Sequence, residues 1–378
     1  MYSRLLKPPH NKSFFIFGPR ATGKTTWARK TFPHALYLDL LEAELFNDLL
    51  ANPSRLTNYI PKGFTEWVII DEIQRVPELL NEVHRLIEIE KISFILTGSS
   101  ARKLRKKGHN LLAGRALTYY FYPLTAQEMG TSFNLPTALL YGNLPSVSQE
   151  SNPHKYLESY IKTYLEEEIQ QEGLTRNLGA FSRFLEIASF SQGSVVNISE
   201  IAREAGIARK VVESYFYILE DLLIGYRIFP FAKRAKRRLI AHPKFYFFDV
   251  GIYRTLRPIG PLDMPEMIEG TAIETLFFQE IKALNDYLEL GYTIYYYRTA
   301  NNTEVDFVLY GKRGIRAFEI KRAKKVRYSE LSGLRTFLSD YPEAKGYCAY
   351  GGERIMKEGG IEMIPFNQMI GNLARYLE

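Results

Sequence analysis

The chain has 378 residues, 46% of them apolar, which allows two or three domains with real cores and excludes a disordered protein. Its net charge of +7 permits a nucleic-acid partner without demanding one. The single cysteine, Cys348, rules out an internal disulfide and a cysteine-rich zinc site, and no apolar run is long enough to span a membrane. Residues 1–10 lack the apolar core of a signal peptide, so these features together predict a protein of the reducing cytoplasm.

Residues 1–122 alternate between strand and helix. Strands are predicted at 13–17, 35–39, 67–70, 92–97 and 118–122, with helices at 24–30, 42–50, 77–90 and 99–106. Such alternation predicts a parallel sheet covered by helices on both faces. Phe14-Phe15-Ile16-Phe17 runs into Gly18-Pro19-Arg20-Ala21-Thr22-Gly23-Lys24-Thr25, which meets G-x-x-x-x-G-K-[ST] at every fixed position. The motif requires a strand before it and a helix after it, and both are present. Backbone N–H groups of the loop would converge on a phosphate, Lys24 would reach the outer phosphates and Thr25 would hold Mg²⁺. Gly18, Gly23, Lys24, Thr25 and Thr26 are therefore candidate ATP contacts.

A second acidic motif follows. The strand Trp67–Ile70 ends in Asp71-Glu72. Asp71 would hold Mg²⁺, directly or through water, and Glu72 would orient the attacking water. The buried run Phe94–Thr97 ends in Gly98-Ser99-Ser100 at the sheet edge where ligands sit. Thr97 or Ser99 could sense the terminal phosphate there; Ser99 fits equally well as the N-cap of the next helix.

Residues 123–195 are predicted mostly helical, punctuated at Pro123, Gly130, Pro136, Gly142 and Pro145. An amphipathic segment, Tyr156–Gln171, carries Glu166-Glu167-Glu168, read as a solvated face. In the next segment Asn197 precedes Glu200 by three residues, predicting a helix start, with an end at Gly206. A second helix from near Ala208 carries Val211, Tyr215, Ile218 and Leu222 at helical spacing, giving a helix-turn-helix pattern. Strands at 225–231 and 244–248 would make it winged. Lys233-Arg234-Ala235-Lys236-Arg237-Arg238 lies between them, five cations in six residues. It reads as a solvated loop tip or as a wing touching phosphates, assisted by Arg209 and Lys210.

The last third is α/β again. A helix is predicted over Thr271–Leu288, strands at 292–298, 304–309, 316–320 and 345–350, and a helix at 328–339. Glu304-Val305-Asp306 and Glu319-Ile320-Lys321 have the spacing of neighbouring antiparallel strands, and alternation puts Glu319 and Lys321 on one face. Asp306 and Glu319 beside Lys321 would form a Mg²⁺ site able to activate water, with Glu274 completing it. Ordinary cross-strand ion pairs account for the same spacing.

Taken together, the sequence resembles prokaryotic AAA+ ATPases that carry a C-terminal restriction-endonuclease-like domain of uncertain role. The marks are Gly18–Thr25, Val68–Glu72, Leu96–Ser100, Leu112-Ala113-Gly114-Arg115, Tyr141-Gly142-Asn143-Leu144-Pro145, and the pair Glu304–Asp306 with Glu319–Lys321, which is similar to the PD-(D/E)XK nuclease signature. The resemblance implies an α/β fold with a P-loop AAA+ domain over 1–122, a helical lid over 123–195, a winged helix-turn-helix over 196–262 and a nuclease-like domain over 263–378. It implies Arg115 as an arginine finger acting on a neighbour's nucleotide, hence a homo-oligomer; a surface cation beside a turn glycine is the plainer alternative. The expected activity is ATP hydrolysis with Mg²⁺, directed at DNA, with Asp306, Glu319 and Lys321 as catalytic nuclease residues. A nucleotide-controlled DNA-binding regulator with an inactive nuclease-like scaffold, and a protein-remodelling ATPase, are the competing readings.

Overall fold

The run Ser13–Phe17 forms β1, and every residue in it is buried. It lies between Phe94–Gly98 (β4) and Ala116–Tyr120 (β5) in a parallel sheet of order β2-β3-β4-β1-β5, with β2 at Leu36–Asp39 and β3 at Val68–Asp71. Neighbours on both edges and cover on both faces explain why β1 is apolar throughout rather than alternating. Phe14 packs its ring against Trp27, Phe32, Trp67 and Tyr119 on one face. Phe15 and Phe17 stack on the other and join Leu38, Ile70, Leu80 and Phe94 in the core. Fully burying one such phenylalanine is worth roughly 1.5–3 kcal/mol. The strand is thereby held rigid up to its last residue, which is where the phosphate-loop motif begins.

The structure is a computed structural model; it describes all residues except 1, 10, 103, 105–111, 113, 166–168, 170–176, 234–236, 238, 240, 262 and 302. The acidic run Glu166–Glu168, three of the five cations expected in a wing (Arg234, Lys236, Arg238), Ala113 and residues 103, 105 and 106 of the helix expected at 99–106 lie outside the described residues. The chain folds as two compact units: residues 6–122 with 221–224, and residues 1–5, 123–220 and 225–378.

In the second unit, helix Ile198–Ala205 is N-capped by Asn197, whose side chain accepts from the Glu200 N–H, and ends at Gly206. Helix Arg209–Asp221 follows, with Val212, Tyr215, Phe216, Ile218 and Leu219 buried. Phe181 and Phe184 of helix Leu178–Phe190 pack on Tyr215, and Phe184 also meets Phe216. Gly225–Pro230 (β6) and Lys244–Phe247 (β7) pair antiparallel after these helices. The hairpin does not end there. β6 also pairs parallel with Thr293–Arg298 (β8), so one sheet crosses the boundary expected at 262/263. That sheet has the order β12-β13-β11-β10-β9-β8-β6-β7, where β9 is Glu304–Gly311, β10 Gly314–Lys321, β11 Lys345–Tyr350, β12 Met356–Glu358 and β13 Ile361–Pro365.

Helix Pro265–Tyr287 lies against this sheet and is buried on most sides, which accounts for its weak amphipathicity. Phe277 meets the rings of Phe307 and Phe318, and Phe278 stacks on Tyr246 and Phe307. Glu274 lies one turn earlier on the same face and so is carried to the sheet.

Candidate nucleotide site and a buried charge cluster

The phosphate-loop motif leaves the interior of the sheet at the end of β1, beside the edge strand β5. Gly23 has φ of +89°, a left-handed conformation that caps the start of helix Lys24–Thr31. Lys24 is buried, and its ammonium donates to the carbonyls of Gly18 at 2.7 Å and Pro19 at 2.9 Å. The lysine is folded over its own loop, holding the position that a phosphate would share. Thr26 is exposed one residue beyond Thr25.

Asp71, at the end of β3, is the hub. Its Oδ2 accepts from the Thr25 hydroxyl at 2.7 Å and the Tyr37 hydroxyl at 2.8 Å. Its Oδ1 accepts from the Thr97 hydroxyl on the neighbouring β4 and from the Glu72 N–H at 3.2 Å. Sequence reasoning missed Tyr37. It lies two residues before Asp39, which pairs with Asp71 in register, and no motif marks it. Burial first, then the Asp71 charge, raises the Tyr37 pKa above its ordinary value and keeps the hydroxyl a donor.

Glu72 has φ of +58°, a costly conformation for a residue with a Cβ and one that clusters at functional sites. Its carboxylate accepts from the Gln74 side-chain amide, which also reaches the Ser99 oxygen at 3.3 Å. The structure thus brings together Lys24, Thr25, Asp71, Glu72, Thr97 and Ser99, and adds Tyr37 and Gln74. A hydroxyl and a carboxylate are hard oxygen donors suited to Mg²⁺, and a buried lysine at a helix N-terminus suits a polyphosphate, so these residues fit a magnesium nucleotide. Arg115 stands before β5, half-exposed, its guanidinium on the Glu88 carboxylate of helix Leu79–Ile89.

In the second unit, Glu274, Glu304, Asp306, Glu319 and Lys321 do converge, around a residue that sequence reasoning left out. Lys244, the first residue of β7, is buried, with its ammonium 2.5 Å from Glu304, 3.4 Å from Glu274 and 3.9 Å from Asp306. Tyr246 donates to Glu274. The other Asp306 oxygen accepts from the Ile320 N–H at 2.8 Å, and Lys321 sits 2.6 Å from Glu319. Burial pushes the Glu274, Asp306 and Glu319 carboxyls above their ordinary range, with the lysines opposing. Burial alone would lower the Lys244 pKa, but Glu274, Asp306 and Glu304 together outweigh it and raise it.

The divalent-metal use expected of Asp306 and Glu319 does not fit this arrangement. Both Asp306 oxygens and Glu319 Oε1 face an ammonium or a backbone N–H, leaving the buried Glu319 Oε2 without a hydrogen-bond partner, and no three acidic, histidine or cysteine side chains form a metal-sized group among the described residues. Of the cations expected in a wing, Arg237 is committed to Asp340 at 2.7 Å, while the Lys233 carbonyl accepts from Tyr341. Arg209 and Lys210 are exposed at the start of the second helix of the helix-turn-helix pair.

The motif Tyr141–Pro145 has a structural role. Gly142 has φ of +70°, and a Cβ on it would lie 2.0 Å from the Asp249 carboxylate. Asp249 is fully buried, caps helix Val250–Leu256 through the Gly251 and Ile252 N–H groups, and accepts from the Asn143 N–H at 2.9 Å.

A parallel sheet with the phosphate loop after the interior strand β1, and an Asp-Glu pair ending the strand two places along, define the N-terminal unit as a P-loop domain. Residues 10–130 match the family model described as an AAA domain. Residues 132–263 and 269–369 match two models described as domains of unknown function, DUF8612 and DUF4143. The chain is similar to the uncharacterized proteins Rv2008c of Mycobacterium tuberculosis and Mb2031c of Mycobacterium bovis, 26% identical to each over 382 residues, covering 97% of this chain and 83% of theirs. Among solved structures, an Aeropyrum pernix ORC1 protein in complex with DNA aligns with a TM-score of 0.27 and 16% identity, covering 66% of this chain and 87% of that one. Protein VC1899 from Vibrio cholerae aligns with a TM-score of 0.24 and 11% identity, covering 91% and 97%. Among the described residues no helix is long and apolar enough to cross a membrane.

Proposed function

We propose that the protein is a Mg²⁺-dependent ATPase that couples nucleotide turnover to nucleic-acid binding by its helix-turn-helix. The observation that carries the ATPase reading is the Thr25–Asp71 hydrogen bond, which joins the phosphate loop to the acidic strand with Glu72 beside it. Lys24 would exchange its loop carbonyls for the outer phosphates. Thr25 and Asp71 would hold Mg²⁺, which neutralises phosphoryl charge when bound. Glu72 would position and deprotonate the attacking water, and Thr97 and Ser99 would sense the terminal phosphate through Asp71 and Gln74. Arg115 would leave Glu88 and serve a neighbouring copy's nucleotide, since an exposed pair of this kind is readily exchanged. That role requires a homo-oligomer.

The nucleic-acid part rests on the capped helix pair and on exposed Arg209 and Lys210 at the start of its second helix. Duplex binding followed by fluorescence anisotropy at several salt concentrations tests it. Arg209→Ala/Lys210→Ala should weaken binding and flatten the log–log salt slope by about 1.8 if each side chain neutralises one phosphate. Unchanged affinity and slope would leave the pair as a protein-docking element, the remodelling-ATPase reading. The nuclease-like part is read as a scaffold, because the buried cluster accommodates a lysine where a metal would be needed.

A further inference from the structure

Lys244 was not among the expected site residues, yet it is the most enclosed member of its cluster. It opens an aromatic strand, Lys244-Phe245-Tyr246-Phe247, whose four residues are all buried. Its ammonium meets three carboxylates supplied by two other elements: Glu274 from helix Pro265–Tyr287, and Glu304 and Asp306 from β9. The Tyr296 ring of β8 lies 5.6 Å from the ammonium and closes another side. Arg298 of β8 approaches Glu304 at 3.4 Å, and Lys321 of β10 holds Glu319. An ammonium taken out of water costs several kcal/mol unless charged oxygens replace the water. A lysine is therefore a demanding choice for this position, and its neighbours answer that demand.

A divalent ion at the same place would need the same oxygens. Mg²⁺ binds oxygen at about 2.0–2.1 Å in near-octahedral geometry, which the Glu274, Glu304 and Asp306 oxygens cannot give while turned toward an ammonium. A metal sharing those oxygens would also lie close to that ammonium, and the like charges would repel.

We propose that Lys244 is the resident cation of this cluster, standing where a nuclease of this architecture would need its metal, and that it thereby locks the β6–β7 hairpin to the C-terminal sheet. The proposal is independent of the ATPase reading and can fail without it. In it, metal affinity is suppressed by a side chain delivered from the hairpin rather than by loss of acidic residues. The acidic residues and Lys321 remain in place, so removing one lysine should uncover a metal site.

The test uses the full chain without nucleotide, so that the phosphate loop contributes no metal site of its own. Mn²⁺ binding by calorimetry and melting temperature are compared for wild type, Lys244→Ala, Asp306→Asn and the double variant. Lys244→Ala should melt lower than wild type. It should bind Mn²⁺ at least about tenfold more tightly than wild type, about 1.4 kcal/mol. Mn²⁺ should restore part of its lost melting temperature, and adding Asp306→Asn should abolish both effects. The proposal is overturned if wild type binds Mn²⁺ in a manner lost in Asp306→Asn, or if Lys244→Ala is as stable as wild type. Should Lys244→Ala fail to fold, the comparison of wild type with Asp306→Asn decides: Mn²⁺ binding that depends on Asp306 with Lys244 present refutes it, and equal, negligible binding supports it.

Discussion

Replacing Gly142 with alanine should be among the most damaging single substitutions in the second unit. Gly142 follows helix Leu135–Tyr141 with φ of +70° and ψ of −166°, a region open essentially to glycine alone. Holding alanine there costs of order 1–3 kcal/mol. The added Cβ would also lie 2.0 Å from Asp249 Oδ1 and 2.5 Å from Oδ2, so the carboxylate must move. It currently accepts from Gly251 N–H at 2.8 Å, Ile252 N–H at 3.3 Å and Asn143 N–H at 2.9 Å. Losing one good hydrogen bond to a charged group costs about 1.5–3 kcal/mol. The sum is about 2.5–6 kcal/mol. Gly206→Ala is the matched control, since Gly206 has φ of +65° with nothing within 4 Å of an added Cβ. It should cost about 1–2 kcal/mol for the left-handed conformation alone. Urea unfolding followed by far-UV circular dichroism measures both. Trp27 and Trp67, the two tryptophans, belong to the N-terminal unit, so their fluorescence follows that unit separately. If Gly142→Ala is no more destabilising than Gly206→Ala, the Gly142–Asp249 contact is not the tight junction described.

Burial raises the Asp249 pKa from the ordinary aspartate value to about 6, against the three N–H bonds that lower it. A carboxyl with a raised folded-state pKa binds protons that the unfolded chain releases, so stability should fall as pH rises from about 4 to about 6, by up to about 3 kcal/mol. Asp249→Asn should flatten that fall in chemical denaturation, and an unchanged slope would exclude Asp249 as its source. Arg115→Ala and Lys24→Ala should each be inactive as ATPases, and mixed assemblies should regain activity if the finger acts in trans. No recovery in assemblies shown to have mixed would return Arg115 to its surface pair with Glu88.

Much of the nucleotide site was legible because its logic is local. A buried strand, a glycine-bearing loop and a helix lie in one stretch, and the Asp-Glu pair ends a second recognisable strand. Tyr37 and Gln74 were not legible, since each acts through a partner on another element: Tyr37 through Asp71, Gln74 through Glu72 and Ser99. The strands of the C-terminal sheet from 293 to 350 were readable from their alternation and apolar runs. Met356–Glu358 is an edge strand with all three residues exposed and carries no burial pattern to read. The continuity of β6 with β8 was hidden for a different reason. It joins Phe229 to Tyr295 across 66 positions, and sheet pairing over such a span leaves no mark in either segment. Lys244 was hidden likewise, its three carboxylates lying 30 to 62 positions away. A lone lysine at the head of a strand otherwise wholly aromatic is the one signal to seek in other chains.

The central claim is that Glu72, next to the Thr25–Asp71 contact, is the base of an ATP-hydrolysing site. The measurement is single-turnover hydrolysis of ATP with Mg²⁺ by wild type and Glu72→Gln, with nucleotide binding measured on the same samples. Glu72→Gln should bind ATP as wild type does and hydrolyse it at least about tenfold more slowly, because the phosphate cradle is kept while the water loses its base. Equal hydrolysis rates in the two proteins, or ATP bound by wild type and never hydrolysed, would contradict the account.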